Sequence, residues 1–127
     1  MSTTPVNFGA YNVFGLTPAD SQGGISVTCT QNNNLSVRVM VGPSATSGAF
    51  IPRQLLQSSG TDKLTYNLYT QATYATVWGD GTGSTATRTR NVRASRPWNT
   101  AIYGRIPPGQ DVAVGSYSDT LTVTIIF

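Results

Sequence analysis

The chain has no histidine and no glutamate, and its five acidic residues are all aspartates. A general base that works near neutral pH is usually histidine, and glycoside hydrolysis needs two carboxylates close together. The aspartates are scattered along the sequence, and Asp62-Lys63 and Asp80-Gly81 are typical of turns. The usual zinc and calcium ligand patterns are absent as well. We therefore predict a protein that is not an enzyme and that uses no metal or cofactor.

Cysteine is nearly absent, since Cys29 is the only one in 127 residues. It cannot form a disulfide within this sequence. Two interpretations stay open, a small buried apolar residue or one half of a disulfide whose partner lies outside the sequence. The sequence also has no apolar run of about 18 residues and no charged-then-apolar leader. We therefore expect no membrane insertion, and we expect any export signal to have been removed already.

Charge is scarce, because charged residues make up 10% of the chain, against about 25% in an ordinary soluble domain. Five of the eight basic residues lie between Arg88 and Arg105. In an extended segment Arg88 and Arg90 share one face, where their guanidinium groups are candidates for contact with a sulfate, a phosphate or an acidic glycan. A solvated strand face is the alternative. Only Trp98 lies among these arginines, so we predict no nucleic-acid binding.

Alternation of apolar and polar residues is the main signal that the sequence does contain. It is typical of strands with one buried and one solvated face. Segments rich in glycine, proline, serine and asparagine separate these runs at the spacing of a β-sandwich. We predict one all-β domain, residues 1–127, with about seven strands. The alternating runs are Ile25–Cys29, Leu35–Val41, Leu64–Tyr69 and Leu121–Phe127.

The last of these runs is unusual for its lack of charge and proline. Leu121, Val123, Ile125 and Phe127 place four large apolar side chains on one face. Proteins normally protect an exposed apolar edge with a charge, a proline or a bulge, because such an edge promotes aggregation. Two explanations stay open: another strand of the same chain covers this run, or a strand from another molecule does.

Several segments also occur in an order and spacing that resemble a known family, the spore coat protein U domain. This family includes a bacterial spore coat protein and the pilin subunits of archaic chaperone–usher pili. The resemblance covers nearly the whole chain, and its tail segment and Trp-Gly-Asp-Gly segment are the most specific. The matching segments are Asn7–Asn12, Gly24–Cys29, Pro52-Arg53, Leu64–Tyr69, Val77–Gly81, Ile102–Pro107 and Gly115–Ile125.

The resemblance implies an incomplete immunoglobulin-like β-sandwich that is completed by a donor strand from another chain. In such pilins a periplasmic chaperone lends a strand during export through an outer-membrane usher, and the amino-terminal extension of the next subunit then replaces it. The resemblance therefore implies a structural subunit of an extracellular pilus or coat, with neighbouring subunits, chaperone and usher as partners. The implied donor-strand groove contains Val6, Phe8, Leu121, Val123, Ile125 and Phe127.

One departure from the family concerns the amino terminus. The family usually carries a donor segment that ends in a cysteine, and this cysteine pairs with the position matched here by Cys29. Only Met1 to Pro5 precede the first matched strand, so we expect the donor segment to be absent from this sequence. The resemblance thus favours a disulfide between Cys29 and a partner outside the sequence.

The alternative function is an adhesin or carbohydrate-binding module at a fibre tip or on the cell surface. Five aromatic residues are candidates for a platform that stacks against sugar rings. Aromatic residues in a sandwich more often pack in the core or across strands. The five candidates are Trp78, Trp98, Tyr69, Tyr74 and Tyr103.

Overall fold

The computed structural model describes residues 1–127 and contains eleven strands and no helix. Accordingly, it holds no helix of the length and apolar character that crossing a membrane requires. The strands are β1 Ser2–Thr4, β2 Ala19–Val27, β3 Leu35–Val41, β4 Arg53–Gln57, β5 Lys63–Tyr69, β6 Val77–Trp78, β7 Thr85–Ala86, β8 Arg88–Val92, β9 Trp98–Ile106, β10 Tyr117–Ser118 and β11 Val123–Ile126.

The strands form two sheets with the core between them. The large sheet has the order β1-β2-β9-β5-β4-β10, and β6 and β7 extend it beside β5. The small sheet has the order β11-β3-β8. All pairs are antiparallel except β6 with β7. The longest ladder joins β2 to β9 over nine residue pairs. This ladder brings residues near the two chain ends into one sheet.

The core consists of fourteen buried apolar residues contributed by both sheets. On β3, Val37, Val39 and Val41 are fully buried, whereas Arg38 between them is exposed. This is the alternation expected of a strand that covers a core on one face. Trp78 is also fully buried, and its indole N–H donates to the main-chain oxygen of Val39 at 3.0 Å. The large sheet is thereby joined to the small one by a satisfied polar contact.

The prediction of an all-β sandwich is confirmed by the strands and their pairing. The structure divides the chain more finely than the sequence pattern does, because β1, β6, β7 and β10 are only two or three residues long. The other seven strands have at least four residues each, in agreement with the predicted number.

A fully buried arginine lies where the two sheets meet. The guanidinium of Arg53 donates to the main-chain oxygens of Gly42 and Trp78, both at 2.7 Å. It also donates to the oxygen of Val41 at 3.1 Å and to Oδ1 of Asn67 at 2.8 Å. Burying a charge costs free energy unless its hydrogen bonds are satisfied, and here every partner is an oxygen held by a strand or its end. Arg53 therefore links β3 to β4, β5 and β6.

We expect Arg53→Met to lower the free energy of unfolding by about 3–5 kcal/mol, since it leaves buried carbonyl oxygens without a donor. Arg38→Met is the matched control, because Arg38 is exposed on β3, and it should change stability by no more than about 0.5 kcal/mol. Urea denaturation of both variants measures the difference. Equal losses would contradict the structural role given to Arg53.

Candidate functional site

The last strand, β11, forms an edge of the small sheet. It pairs with β3 only, and Val123 and Ile125 lie opposite Val41 and Val39. The ladder continues before β11, where the Gly42 N–H donates to the oxygen of Thr122 at 2.8 Å. Main-chain groups of successive residues point to opposite sides of a strand. Because Thr122 faces β3, the main-chain groups of Val123 and Ile125 face the open edge.

The side chains of this strand alternate as the sequence predicts. Leu121, Val123 and Ile125 are half-buried against the core, whereas the threonines between them are exposed. Phe127 lies at the end of the series with 83% of its surface exposed. The open edge of β11 therefore combines unpaired main-chain groups with apolar side chains that reach the core. An extended strand with alternating apolar side chains would be able to pair with these main-chain groups and pack against these side chains.

Across a groove, the amino-terminal segment Pro5–Tyr11 faces the segment Gly115–Leu121, which leads into β11. Residues of the edge strand β1 pair with β2, and the chain then crosses the inner face of the large sheet over Gly104. Val6 and Phe8 are half-buried there against the core. The Phe8 ring packs edge-on against Tyr66, with ring centroids 6.0 Å apart. Both sequence ends thus contribute a wall to the same groove.

Two glycines on the inner face make this crossing possible. A Cβ atom at Gly104 would lie 2.7 Å from Cζ of Phe8 and 2.8 Å from Cγ1 of Val6. A Cβ atom at Gly23 would lie 2.5 Å from the main-chain oxygen of Thr4. Real carbon atoms do not approach so closely, so any larger residue would push the amino-terminal segment away from the sheet. The glycines act through the absence of a side chain, not through unusual backbone angles.

The groove consists of two cavities, one at each end of β11. The first has a volume of about 780 Å³ and lies between Pro5–Tyr11 and Gly115–Leu121. The second has a volume of about 330 Å³ and lies beside Ile125 and Phe127. Apolar side chains of the core form the floor of both cavities. The floor residues are Leu55, Leu64, Tyr66, Leu68 and Ile106 in the first cavity, and Val27, Val37 and the half-buried Cys29 in the second, which the exposed Leu35 also lines.

A hydrogen bond fastens one wall of the groove to its floor. The Tyr66 hydroxyl donates to Oδ2 of Asp119 at 2.6 Å, and the Thr46 N–H donates to Oδ1 at 3.3 Å. Burial raises the pKa of the Tyr66 phenol, and the hydrogen bond to Asp119 raises it further. The phenol therefore stays protonated, as donation to a carboxylate requires. Asp119 is in turn fixed immediately before the run that begins at Thr120.

The predicted groove residues all lie along this feature. Val6, Phe8 and Leu121 line the first cavity, Ile125 and Phe127 line the second, and Val123 lies between them on β11. Their part in binding a donor strand stays a prediction. The floor residues of the first cavity were not found from the sequence. Their alternation signalled burial only, and nothing in it separated a groove floor from an ordinary core.

Cys29 is a free thiol, half-buried on the floor of the second cavity. Its side chain packs against the apolar core. Both sequence-based interpretations are compatible with this position, so a disulfide to a partner outside the sequence stays a prediction. A cysteine at the floor of an open cavity is accessible from the groove side.

Arg88 and Arg90 lie on β8 opposite Val39 and Val37, and therefore on one face, as their spacing predicts. The Arg88 guanidinium donates to Oγ1 of Thr100 at 2.9 Å, and its carbon lies 5.8 Å from the centroid of the Trp78 ring. Arg90 is exposed. Arg88 therefore already packs within the protein. Contact of the pair with an anion stays a prediction.

The aromatic residues proposed for a sugar platform do not form one surface. Trp78 and Trp98 are buried in the core, so for these two the core interpretation is correct. Tyr69 and Tyr74 pack edge-on at 5.5 Å between ring centroids on the outer side of the large sheet. Arg105 lies over the Tyr74 ring at 3.7 Å and pairs with Asp20 at 2.7 Å. A single platform of all five residues is therefore wrong.

The two-sheet sandwich with an open-edged last strand is similar to a solved structure of a pilus subunit complex. The match is to a chain of the chaperone–tip adhesion subunit pre-assembly complex, CsuC–CsuE, from archaic chaperone–usher Csu pili of Acinetobacter baumannii. The TM-score is 0.62 at 20% sequence identity, over 99% of this chain and 40% of that chain. The prediction of an immunoglobulin-like sandwich fold is confirmed by this match.

The family follows from the sequence itself. The family model of the Spore Coat Protein U domain matches residues 1–124. A relative, Protein U of Myxococcus xanthus, is 32% identical over 130 residues, which cover 96% of this chain and 71% of that protein. The chain belongs to the spore coat protein U domain family, as its motifs predicted.

We expect Gly104→Ala to displace Val6 and Phe8 from the inner face and to lower the free energy of unfolding by about 1–3 kcal/mol. Gly24→Ala is the matched control, because a Cβ atom there meets nothing nearer than 3.8 Å. Chemical denaturation of both variants provides the comparison. Similar stability of the two variants would show that the amino-terminal segment does not rest on this glycine.

Tyr66→Phe should make stability less sensitive to alkali. The folded-state pKa of Tyr66 is raised, so below the unfolded value of about 10 both states keep the phenol proton. Above that pH only the unfolded state loses it, and stability falls by up to about 1.4 kcal/mol per pH unit. Phenylalanine at this position cannot ionise, so the variant does not lose stability in this way as the pH rises.

Urea unfolding at a series of pH values on either side of the tyrosine pKa measures the effect. The variant should be less stable at the mildly alkaline end, where it lacks the hydrogen bond to Asp119, and should lose less stability as the pH rises. Tyr103→Phe controls for the loss of a partly exposed phenol. Parallel pH profiles for the parent and Tyr66→Phe would refute the protonated-donor role.

Proposed function

We propose that this protein is a structural subunit of an extracellular fibre or coat, and not an enzyme, and that its subunits join head to tail by donor-strand exchange. The observation that carries the proposal is the open edge of β11 beside a groove with an apolar floor. The family assignment supports a coat or pilus role in general. The donor strand itself, supplied by the next subunit, is our inference from the groove.

Strand addition suits the chemistry of this groove. A donor strand would form main-chain hydrogen bonds with β11, and its alternate side chains would enter the two cavities. Burial of four such side chains at about 1.5–3 kcal/mol each would contribute roughly 6–12 kcal/mol before ordering costs. That range is comparable to the whole stability of a small domain, about 5–15 kcal/mol. The isolated subunit should therefore be only marginally stable.

The implied partners follow from the same requirement. A subunit with an exposed apolar groove needs a protein that covers it during export, and we propose a periplasmic chaperone followed by an outer-membrane usher. The solved structure with a similar fold is itself a chaperone–tip subunit complex, which supports a chaperone partner. Neighbouring subunits then replace the chaperone. The resulting contact is head to tail and does not close on itself, so it generates a fibre on the cell surface.

The adhesin alternative requires a ligand-binding surface in addition to the groove. The tryptophans predicted for such a surface, Trp78 and Trp98, are buried. The groove serves a fibre subunit directly. We therefore favour the structural role.

A synthetic peptide of alternating valine and threonine tests the groove. The peptide should be about seven residues long, the length of Leu121–Phe127, and so span about 23 Å at 3.3 Å per residue. Its binding should raise the melting temperature by about 5–10 °C at roughly one hundred times the dissociation constant. A peptide of the same composition with its valines consecutive is the control, and it should produce little shift. No shift with the alternating peptide would count against an open groove.

A matched pair of variants locates the binding edge on β11. Val123→Asp places a charge among the apolar groove side chains and should abolish the peptide-induced shift. Thr124→Asp introduces the same charge on the exposed face of the same strand and should leave the shift intact. If both variants respond to the peptide like the parent, the donor strand binds elsewhere.

A further inference from the structure

The small sheet has two edges, and only the edge formed by β11 borders the groove. β11 pairs with β3 on one side, and β8 pairs with β3 on the other. β8 has five residues and β11 has four, so length does not favour β11 as a template for an added strand. The large sheet ends in strands of two or three residues, which offer few main-chain groups. β8 is therefore the edge that competes with β11.

The main-chain groups of β8 are open on the side away from β3. The Val41 N–H donates at 3.2 Å to a main-chain oxygen just after β6, on the side of β3 that faces away from β11. Because main-chain groups alternate along a strand, every second residue of β3 before it also faces β8. Their partners on β8 are Arg88 and Arg90. The main-chain groups of Thr89 and Asn91 therefore face solvent, where another strand would pair with them.

The inner-face side chains of the two edges differ in charge. On β11, Ile125 lies opposite Val39, and on β8, Arg88 lies opposite the same residue. Arg90 lies opposite the fully buried Val37. Residues that are directly opposite share one face of a sheet. The positions that are apolar on β11 are thus arginines on β8, and inward-pointing charges are one of the features that protect an edge strand.

Arg88 also fills the space between the two sheets beside β8. Its guanidinium donates to Oγ1 of Thr100 on β9 at 2.9 Å. Its Cζ atom lies 5.8 Å from the ring centroid of Trp78 and 5.9 Å from that of Trp98. Both tryptophans belong to the large sheet and are buried. An added strand would have to displace this side chain, whereas the edge of β11 opens onto the two cavities of the groove.

Arg90 is a second obstacle to pairing at β8. Its side chain is exposed, and a strand added at this edge would cover it with apolar side chains. No carboxylate pairs with it, since the one ion pair of the structure joins Arg105 to Asp20. Burial of a charge without a partner is costly. The Arg90 guanidinium therefore stays in water only while the edge of β8 is empty.

We propose that Arg88 and Arg90 exclude strand addition at β8 and so confine it to β11. The inference rests on the proposed donor-strand exchange, and it adds which edge of the sheet accepts the strand. Specificity of this kind comes from weakening the competing complex as well as from stabilising the correct one. A subunit with a single receptive edge accepts one donor strand, so the fibre grows without branches.

Peptide stoichiometry tests the exclusion. The alternating valine–threonine peptide should bind once to the parent protein, as counted by native mass spectrometry. Arg88→Leu with Arg90→Val makes the inner-face positions of β8 apolar, and this double variant should bind a second copy at least roughly tenfold more tightly than the parent does. Arg38→Leu with Arg96→Val is the control, because it removes the same charge from exposed positions outside the inner face of β8. The control should still bind one copy.

The double variant in a Val123→Asp background identifies the edge. Val123→Asp alone should bind no peptide, whereas the triple variant should bind one. The peptide should then slow amide hydrogen exchange at Thr89 and Asn91 by at least roughly tenfold, since their N–H groups face the added strand. Arg90→Val alone leaves the contacts of Arg88 in place. It should bind a second peptide severalfold more tightly than the parent, so the comparison does not depend on the folding of the double variant.

Two results would overturn the exclusion and leave the groove of β11 in place. The first is a second peptide bound along β8 of the parent protein. The second is a single peptide per molecule on both Arg90→Val and the double variant. The absence of any peptide on the parent protein would instead overturn the proposed function, and the exclusion with it.

Discussion

The fold depends on one buried cation that has no carboxylate bonded to it. Arg53 donates to three carbonyl oxygens and one side-chain amide, which belong to β3 and the residue after it, to β5 and to β6. Burial lowers the pKa of Arg53, while the nearby Tyr66 and Asp119 act in the opposite direction. The planar guanidinium, with five donors in a fixed arrangement, suits a site where several strand ends present oxygens at different angles. Lysine offers no equivalent geometry.

The shape of the groove depends on the hydrogen bonds of Arg53. Tyr66 lies opposite Arg53 in the ladder between β4 and β5, and its hydroxyl binds Asp119. The wall that begins at Asp119 is therefore connected through Tyr66 to the strands that Arg53 holds. The segment that leads into β11 needs such an arrangement, because an edge strand cannot rely on neighbours on both sides. Polar contacts position the floor and the wall of the groove, and apolar side chains line the cavity between them.

The sequence predicted the strands whose buried face is uniformly apolar. β3, β5 and β11 alternate clearly, and the structure has strands there. β9 is longer than these strands and also has a buried face, but that face includes Thr100 and Gly104, so alternation of apolar residues does not reveal it. Gly104 is small because the amino-terminal segment crosses over it. This requirement arises only from tertiary structure and leaves no local signature.

The sequence indicated the walls of the candidate groove but not its floor. The uncharged final run pointed to β11, and the resemblance to the family pointed to Val6 and Phe8. The floor of the first cavity comes from β4, β5 and β9. The local periodicity of the sequence does not indicate the order of these strands in the sheet. Arg53 follows a proline in a segment without a clear pattern, so nothing local indicated that it is buried. The cavity floor and the burial of Arg53 both depend on the order of the strands in the sheets.

The open edge of β11 has a mechanical consequence. In a fibre assembled as proposed, tension would pull the donor strand lengthwise along β11, in the direction of the strand axis. All the main-chain bonds between the two strands would then resist together in shear, instead of breaking one after another as in peeling. A subunit that is only marginally stable in isolation would thereby become a strong link under load, and rupture would require the simultaneous loss of the whole ladder.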